Sequence, residues 1–211
     1  MTMKKLKSLL ILLVCAGFAA SLNAQSGLTL EASQLFTSFK FTDSRGNDLS
    51  SDYSGIFTGA YNLGYRHVSA SGLMVTGVLG MHNAGATLVY DAMNYTWNLK
   101  YAGGRLGIGY MLQATRVSPY LNVSGYYAYM LRGFQVINNE HFNITSLEII
   151  NQTDYGVYIS PGIQLRLSEA VSSYLEFNYL MGLANLEKDE GQESRNLAYG
   201  LTLGLSLTIV K

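Results

Sequence analysis

Leu197-Ala198-Tyr199-Gly200-Leu201-Thr202-Leu203-Gly204-Leu205-Ser206-Leu207-Thr208-Ile209 carries the plainest structural signal in the chain. Odd positions from Leu197 to Ile209 are large and apolar. Even positions from Ala198 to Thr208 are small or polar. A period of two is the geometry of a β-strand, whose side chains point alternately to opposite faces. A usual strand runs about 5–6 residues, and this run is twice that length. In a water-soluble sandwich each such strand would need a second covering layer of matching length. In a membrane the apolar face meets lipid instead.

Similar runs recur upstream. Phe57 to Arg66, Val75 to His82, Arg105 to Leu112, Leu121 to Arg132, Tyr155 to Arg166 and Tyr174 to Met181 alternate in the same way, and a less regular run covers about Leu28 to Phe41. With the C-terminal run these make eight strands. The connections between them alternate in length. Short ones are expected at Ser69 to Gly72, Thr115 to Ser118 and Ser168 to Ser172. Long ones are expected at Thr42 to Ser54, Val89 to Tyr95, Gly133 to Thr153 and Asn185 to Arg195. Short turns at one end and long loops at the other predict an all-β fold, an eight-stranded antiparallel up-and-down transmembrane β-barrel with its long loops outside. Closure leaves no unpaired edge in lipid, and eight strands leave an interior just wide enough for side chains. Tyr65, Tyr110, Tyr120, Tyr127, Tyr155, Tyr179, Tyr199 and Trp97 are the expected aromatic girdles at the two membrane surfaces.

The start of the chain has a different pattern. Lys4, Lys5 and Lys7 precede an apolar stretch from Leu9 to Ala20, and Ala24 offers a small residue before Gln25. That is the layout of a secretory signal peptide, too short for a spanning helix. Residues 1–24 are therefore read as a signal peptide and 25–211 as one barrel domain. Cys15, the single cysteine, falls inside the signal, so no disulfide holds the exported chain together. Removing the three leader lysines leaves eleven basic residues against fourteen acidic. Charged residues make up only 13% of the chain, against about a quarter in typical soluble domains. The absence of a basic stripe argues against nucleic acid as a partner.

Signal, eight alternating strands and four long loops together resemble the small outer-membrane β-barrel family of the OmpA-barrel and OmpX type, including PorT-like proteins. The resemblance covers residues 25 to 211 and is architectural. It implies residence in the outer membrane of a Gram-negative bacterium, contact with outer-membrane lipid and lipopolysaccharide, and a monomer without cofactor. It also implies assembly by the barrel-assembly machinery. Thr202, Gly204, Leu207 and Ile209 match the C-terminal signal that machinery reads, although the chain lacks a terminal aromatic and ends Val210-Lys211. No periplasmic peptidoglycan-binding domain is expected.

Alternation aims Glu31, Arg66, Arg105, Arg132, Arg166 and Glu176 into the lumen, with Lys100 beside them. Charges enclosed in a narrow barrel must pair or be hydrated, and the expected pairs are Glu31–Arg66 and Arg166–Glu176. The same arginines would favour anions if the lumen conducted. Catalytic chemistry has weak support. His67 and Ser69 fall at the periplasmic end, His82 points inward without an evident serine and carboxylate, and His141 lies in a loop beside Glu140. No metal-ligand spacing appears. Acidic clusters at Asp43, Asp48 and Asp52 and at Glu187, Asp189, Glu190 and Glu193 mark the first and last long loops. There they are solvated faces or holders of divalent cations bridging lipopolysaccharide phosphates. The third long loop is apolar, with Phe134, Val136, Ile137, Phe142, Ile144, Leu147, Ile149 and Ile150, and is expected to extend a β-hairpin above the membrane.

Two function classes follow. One is a non-enzymatic envelope protein working through its loops in structure, adhesion or partner docking; the PorT resemblance implies a secretion-system accessory. The other is a small pore or a hydrophobic-ligand channel of the OmpW-like kind.

Overall fold

A computed structural model describes residues 25–113, 116–147, 150–188 and 191–210, excepting the side chains at positions 146, 147 and 210. The signal-peptide reading, Asp189, Glu190, Ile149 and the side chain of Leu147 lie outside what is described. Nine strands form one antiparallel sheet: β1 (Gln25–Thr42), β2 (Tyr53–Val68), β3 (Leu73–Tyr90), β4 (Met93–Met111), β5 (Val117–Ile137), β6 (Glu140–Asn143), β7 (Thr153–Arg166), β8 (Val171–Gly182) and β9 (Glu193–Val210). Eight of them close a ring. Each pairs with its neighbours in order, β5 pairs with both β4 and β7, and β9 returns to β1. The short β6 pairs with the outer end of β5, beyond the last β5–β7 pair. The chain is thus an eight-stranded antiparallel up-and-down barrel. A single-turn helix, α1 (Ile144–Leu147), follows β6. No described helix is long and apolar enough to cross a membrane.

The barrel is turned inside out relative to a soluble protein. Its outer wall carries Leu28, Leu63, Leu79, Leu106, Ile108, Leu121, Ile163, Leu175, Leu203 and Leu205, all exposed. On β4 the outward residues Tyr110, Ile108, Leu106, Gly104 and Ala102 precede the first outward charge, Lys100. The nine-residue span 102–110 rises roughly 20 Å at a usual strand tilt, close to the ~25 Å apolar band of an outer-membrane barrel. Tyr65, Tyr110, Tyr127, Tyr155, Tyr179 and Tyr199 face outward. Two of the expected girdle residues do not. Tyr120 is buried in the lumen, and Trp97 is half-buried against Phe39 and Tyr53.

The strands run beyond the alternating segments, chiefly at the outer end. Contrary to expectation, no loop runs from Val89 to Tyr95: β3 and β4 stay paired to Tyr90 and Met93, joined by Asp91 and Ala92 alone. Both have positive φ, 50° and 59°, the two-residue geometry whose twist matches a hairpin. Asn138 and Asn139, at φ 47° and 72°, make the same turn between β5 and β6. The third long connection therefore begins as a β-hairpin.

Inside, the lumen is filled in layers. Val68, Met74, Met111, Tyr120 and Tyr174 form an apolar cluster at the end of the short turns. A larger cluster, which includes Leu99, Tyr101, Met130, Tyr158 and Leu180, fills the outer half. Ile144, Ile150 and Leu186 from the outer loops join it and close it from above. The Thr145 hydroxyl accepts from the Gly133 amide at 2.6 Å, and the Asn151 side chain donates to the Asn185 and Glu187 carbonyls at 3.0 and 3.2 Å. These bonds tie two outer loops to each other and to β5.

Candidate functional site

Between the two apolar clusters lies a layer of charge. Arg66 on β2 reaches Glu176 on β8, with Nη2 3.2 Å from Oε1, and the two side chains are 4% and 2% exposed. Arg105 on β4 pairs with Glu31 on β1 at 2.5 Å. The carboxylates gain further donors. Tyr120 OH donates to Glu176 at 2.9 Å, Tyr174 OH to Glu31 at 3.0 Å, and the Asn62 amide to Glu31 at 3.1 Å. Arg66 also donates to Gln164 at 3.2 Å, and its guanidinium sits 4.1 Å from the Tyr174 ring centroid. Arg105 lies 5.1 Å over the Tyr158 ring. Opposite charges on different strands, the carboxylates met by neutral donors and the guanidiniums by neutral acceptors or aromatic rings, form one connected polar brace across the barrel.

The pairing differs from the sequence expectation, and register explains why. Glu31 stands opposite Asn62, while Arg66 stands opposite Gly27, four residues nearer the end of the short turns. Glu176 stands opposite Gly162, while Arg166 pairs with Ser172 at the end of β7. Neither expected pair shares a height. Arg166 keeps its parity but runs past the barrel mouth and is exposed. Lys100 and Arg132 also depart from expectation: Lys100 shares the even parity of outward Leu106 on β4 and so faces out, opposite in sense to Arg105; Arg132 is turned out by an irregularity in its own strand. In the β4–β5 ladder Lys100 opposes Arg132 but Tyr101 opposes Met130, so Leu131 is an extra residue. This bulge inverts the alternation above it. Met130 points in and Arg132 points out, beside the outward Lys100.

Of the C-terminal residues read as an assembly signal, Thr202 faces the lumen and accepts from the Asn178 amide at 2.7 Å. Gly204 lies under the Tyr174 ring. Leu207 and Ile209 face outward. Sequence reasoning missed a second buried polar group near the outer end. Asp154 accepts from Tyr126 OH at 3.0 Å and from the Asn196 amide at 2.8 Å. Its inward parity at the start of β7 was the available signal.

The histidines are dispersed. His82 stacks on Tyr101 with centroids 5.2 Å apart, His67 Nδ1 lies 2.8 Å from Ser26 Oγ, and His141 is exposed on β6. Among the described residues no group of three His, Cys, Asp or Glu side chains could hold a metal. In the first loop Asp43 accepts from the Arg45 and Asn47 amides and the Asn47 side chain. The side-chain bond from Asn47 leads in holding its carboxyl below the usual carboxylate range. Asp48 is lowered likewise, chiefly by the Ser50 hydroxyl. The carboxylates of Asp43 and Asp48 thus serve the loop's own turns.

Voids in the lumen are small, about 30 Å³ beside His82, Arg105 and Asn178 and about 10 Å³ between Glu31, Arg66 and Arg105. They have room for a water or two.

Among solved structures the chain is similar to the outer membrane protein OprG from Pseudomonas aeruginosa. The TM-score is 0.51 at 11% identity, over 87% of this chain and 97% of that one. The fold is that of a small outer-membrane β-barrel. Neisserial surface protein A is similar at TM-score 0.49 and 10% identity, covering 89% and 99% of the two chains. The attachment invasion locus protein Ail of Yersinia pestis follows at 0.43 and 11%, covering 86% and 98%. No family model and no curated protein matches the chain. At these identities the likeness is one of fold.

Proposed function

We propose that this chain is an integral outer-membrane protein of a Gram-negative envelope, exported by its signal peptide, that acts without catalysis through its outer hairpins. The observation that carries this reading is the β3–β4 hairpin. From the Asn83–Lys100 pair, just above the apolar belt, it continues seven residues to Tyr90, a rise of up to about 20 Å. Its tip exposes Val89 and Tyr90. Apolar side chains held away from both lipid and core are where a partner or an opposing surface is met. The lumen supports the same view. Its charged layer works as a structural brace: two ion pairs whose desolvation is offset by neutral donors, capped at each end by apolar side chains. The barrel-assembly signal, lipopolysaccharide contact and a monomeric state belong to this reading.

A small pore or hydrophobic-ligand channel is the competing class. Purified protein in a planar bilayer separates the two. The docking reading expects no discrete conductance steps from the wild type or from Arg105→Gln. Steps that Arg105→Gln alters would overturn it in favour of a pore. A photo-crosslinking residue at Tyr90 in living cells then tests the hairpin, which should form an adduct that the same residue at Arg166 does not.

A further inference from the structure

Beyond the hairpin tip, the structure points to a site on the barrel's outer wall. Asn83 on β3 pairs with Lys100 on β4, and Lys100 pairs with Arg132 on β5. All three are exposed on one horizontal row. The row lies one step above the last lipid-facing residue of β4, at the height where an outer leaflet carries its headgroups. Arg132 is there only because the extra residue Leu131 turns it outward. A second irregularity at the same height, between Gly55 and Ala60 of β2, accompanies it. Bulges are retained features that re-aim side chains. This one places two like charges directly opposite each other, an arrangement that by itself destabilises a sheet. Among the described residues neither cation has a carboxylate partner: the ion pairs are Arg66–Glu176, Arg105–Glu31 and Arg195–Glu193. Between and around them is a groove of about 340 Å³, lined by Phe57, Thr58, Asn98 and Phe134 as well as the row itself. Arg132 stacks over Phe134, 5.5 Å from the centroid, which fixes the guanidinium at the groove's rim.

We propose that Lys100 and Arg132, with Asn83, bind the phosphate of an outer-leaflet glycolipid headgroup. A phosphate between the two cations removes their repulsion. Arginine's planar fork meets its oxygens two at a time and lysine adds a point charge. Asn83 and Asn98 offer neutral donors, and Phe57 and Phe134, on the outer side of the row, give the groove apolar flanks. The inference rests on the membrane-spanning reading.

The test is native mass spectrometry of detergent-purified protein with diphosphoryl lipid A, its dephosphorylated form, or inorganic phosphate alone. Wild type should retain diphosphoryl lipid A and lose it at least about tenfold in Lys100→Gln/Arg132→Gln, a difference of about 1.4 kcal/mol. Arg116→Gln, which removes a charge at the periplasmic end, should bind like wild type. Equal retention by the double variant, or equal retention of the dephosphorylated lipid, would overturn the site. Displacement of the lipid by stoichiometric inorganic phosphate would overturn the lipid as its source. Each protein is checked on a gel for a heat-dependent mobility shift. A wild type without the shift defeats the membrane reading itself. If only the double variant fails to fold, the single variants Lys100→Gln and Arg132→Gln decide.

Discussion

The ring of Tyr174 occupies the space over the Cα of Gly204: a methyl group built there would stand 2.0 Å from Tyr174 Cζ. The two residues are register partners on β8 and β9. Glycine at 204 lets the tyrosine lie across the lumen, stack on Arg66 and donate to Glu31. Gly162 serves Tyr120 in the same way, with a built methyl 2.5 Å from that ring. The two tyrosines that complete the charged layer therefore both depend on a glycine in the neighbouring strand.

Gly204→Ala should destabilise the folded barrel by about 1–3 kcal/mol, the usual range for overpacking. Urea unfolding in lipid vesicles reads this as a lower midpoint. Because the penalty comes from one contact, Gly204→Ala/Tyr174→Leu should lose less than the sum of the single variants. Additive losses would mean that Gly204 matters for some other reason.

Glu176→Gln leaves Arg66 enclosed without its counter-charge. Removing one partner of a buried pair typically costs about 3–5 kcal/mol, whereas replacing both with apolar residues is far milder. The same unfolding experiment should rank Glu176→Gln well below Arg66→Met/Glu176→Met in stability. Arg166→Gln, exposed at the barrel mouth, should stay within about 0.5 kcal/mol of wild type. A loss at Arg166 matching that at Glu176 would contradict the observed pairing.

Leu106 is 77% exposed and pairs with Gly77 at the middle of the apolar belt. In water a charged residue there would be almost neutral for stability. Facing the bilayer midplane, Leu106→Arg should cost about 2–4 kcal/mol, again read by urea unfolding in vesicles. A change below about 0.5 kcal/mol would place this wall in water.

Strand identity, closure and inward parity were legible because a period of two survives in single residues, as at Arg66, Arg105 and Glu176. Three things were not. Height across the barrel depends on stagger between tilted strands, so Glu31 met Arg105 rather than Arg66. The Leu131 bulge is one inserted residue with no compositional mark, and it sent Arg132 to the opposite face. The Asp91-Ala92 turn lacks the glycine that flags a two-residue hairpin, so paired strand read as loop. Trp97 and Tyr120 show that an aromatic residue near a strand end is consistent with either girdle or lumen until the register is known.

A closed barrel whose apolar wall faces lipid stays with the membrane and withstands detergent until it is heated. This is tested most directly by running carbonate-washed membranes, boiled and unboiled, side by side on a detergent gel. The protein should stay with the membrane pellet and migrate differently before and after boiling, because a closed, detergent-resistant barrel binds less detergent than its unfolded chain. Release into the periplasmic soluble fraction with a single mobility would contradict it.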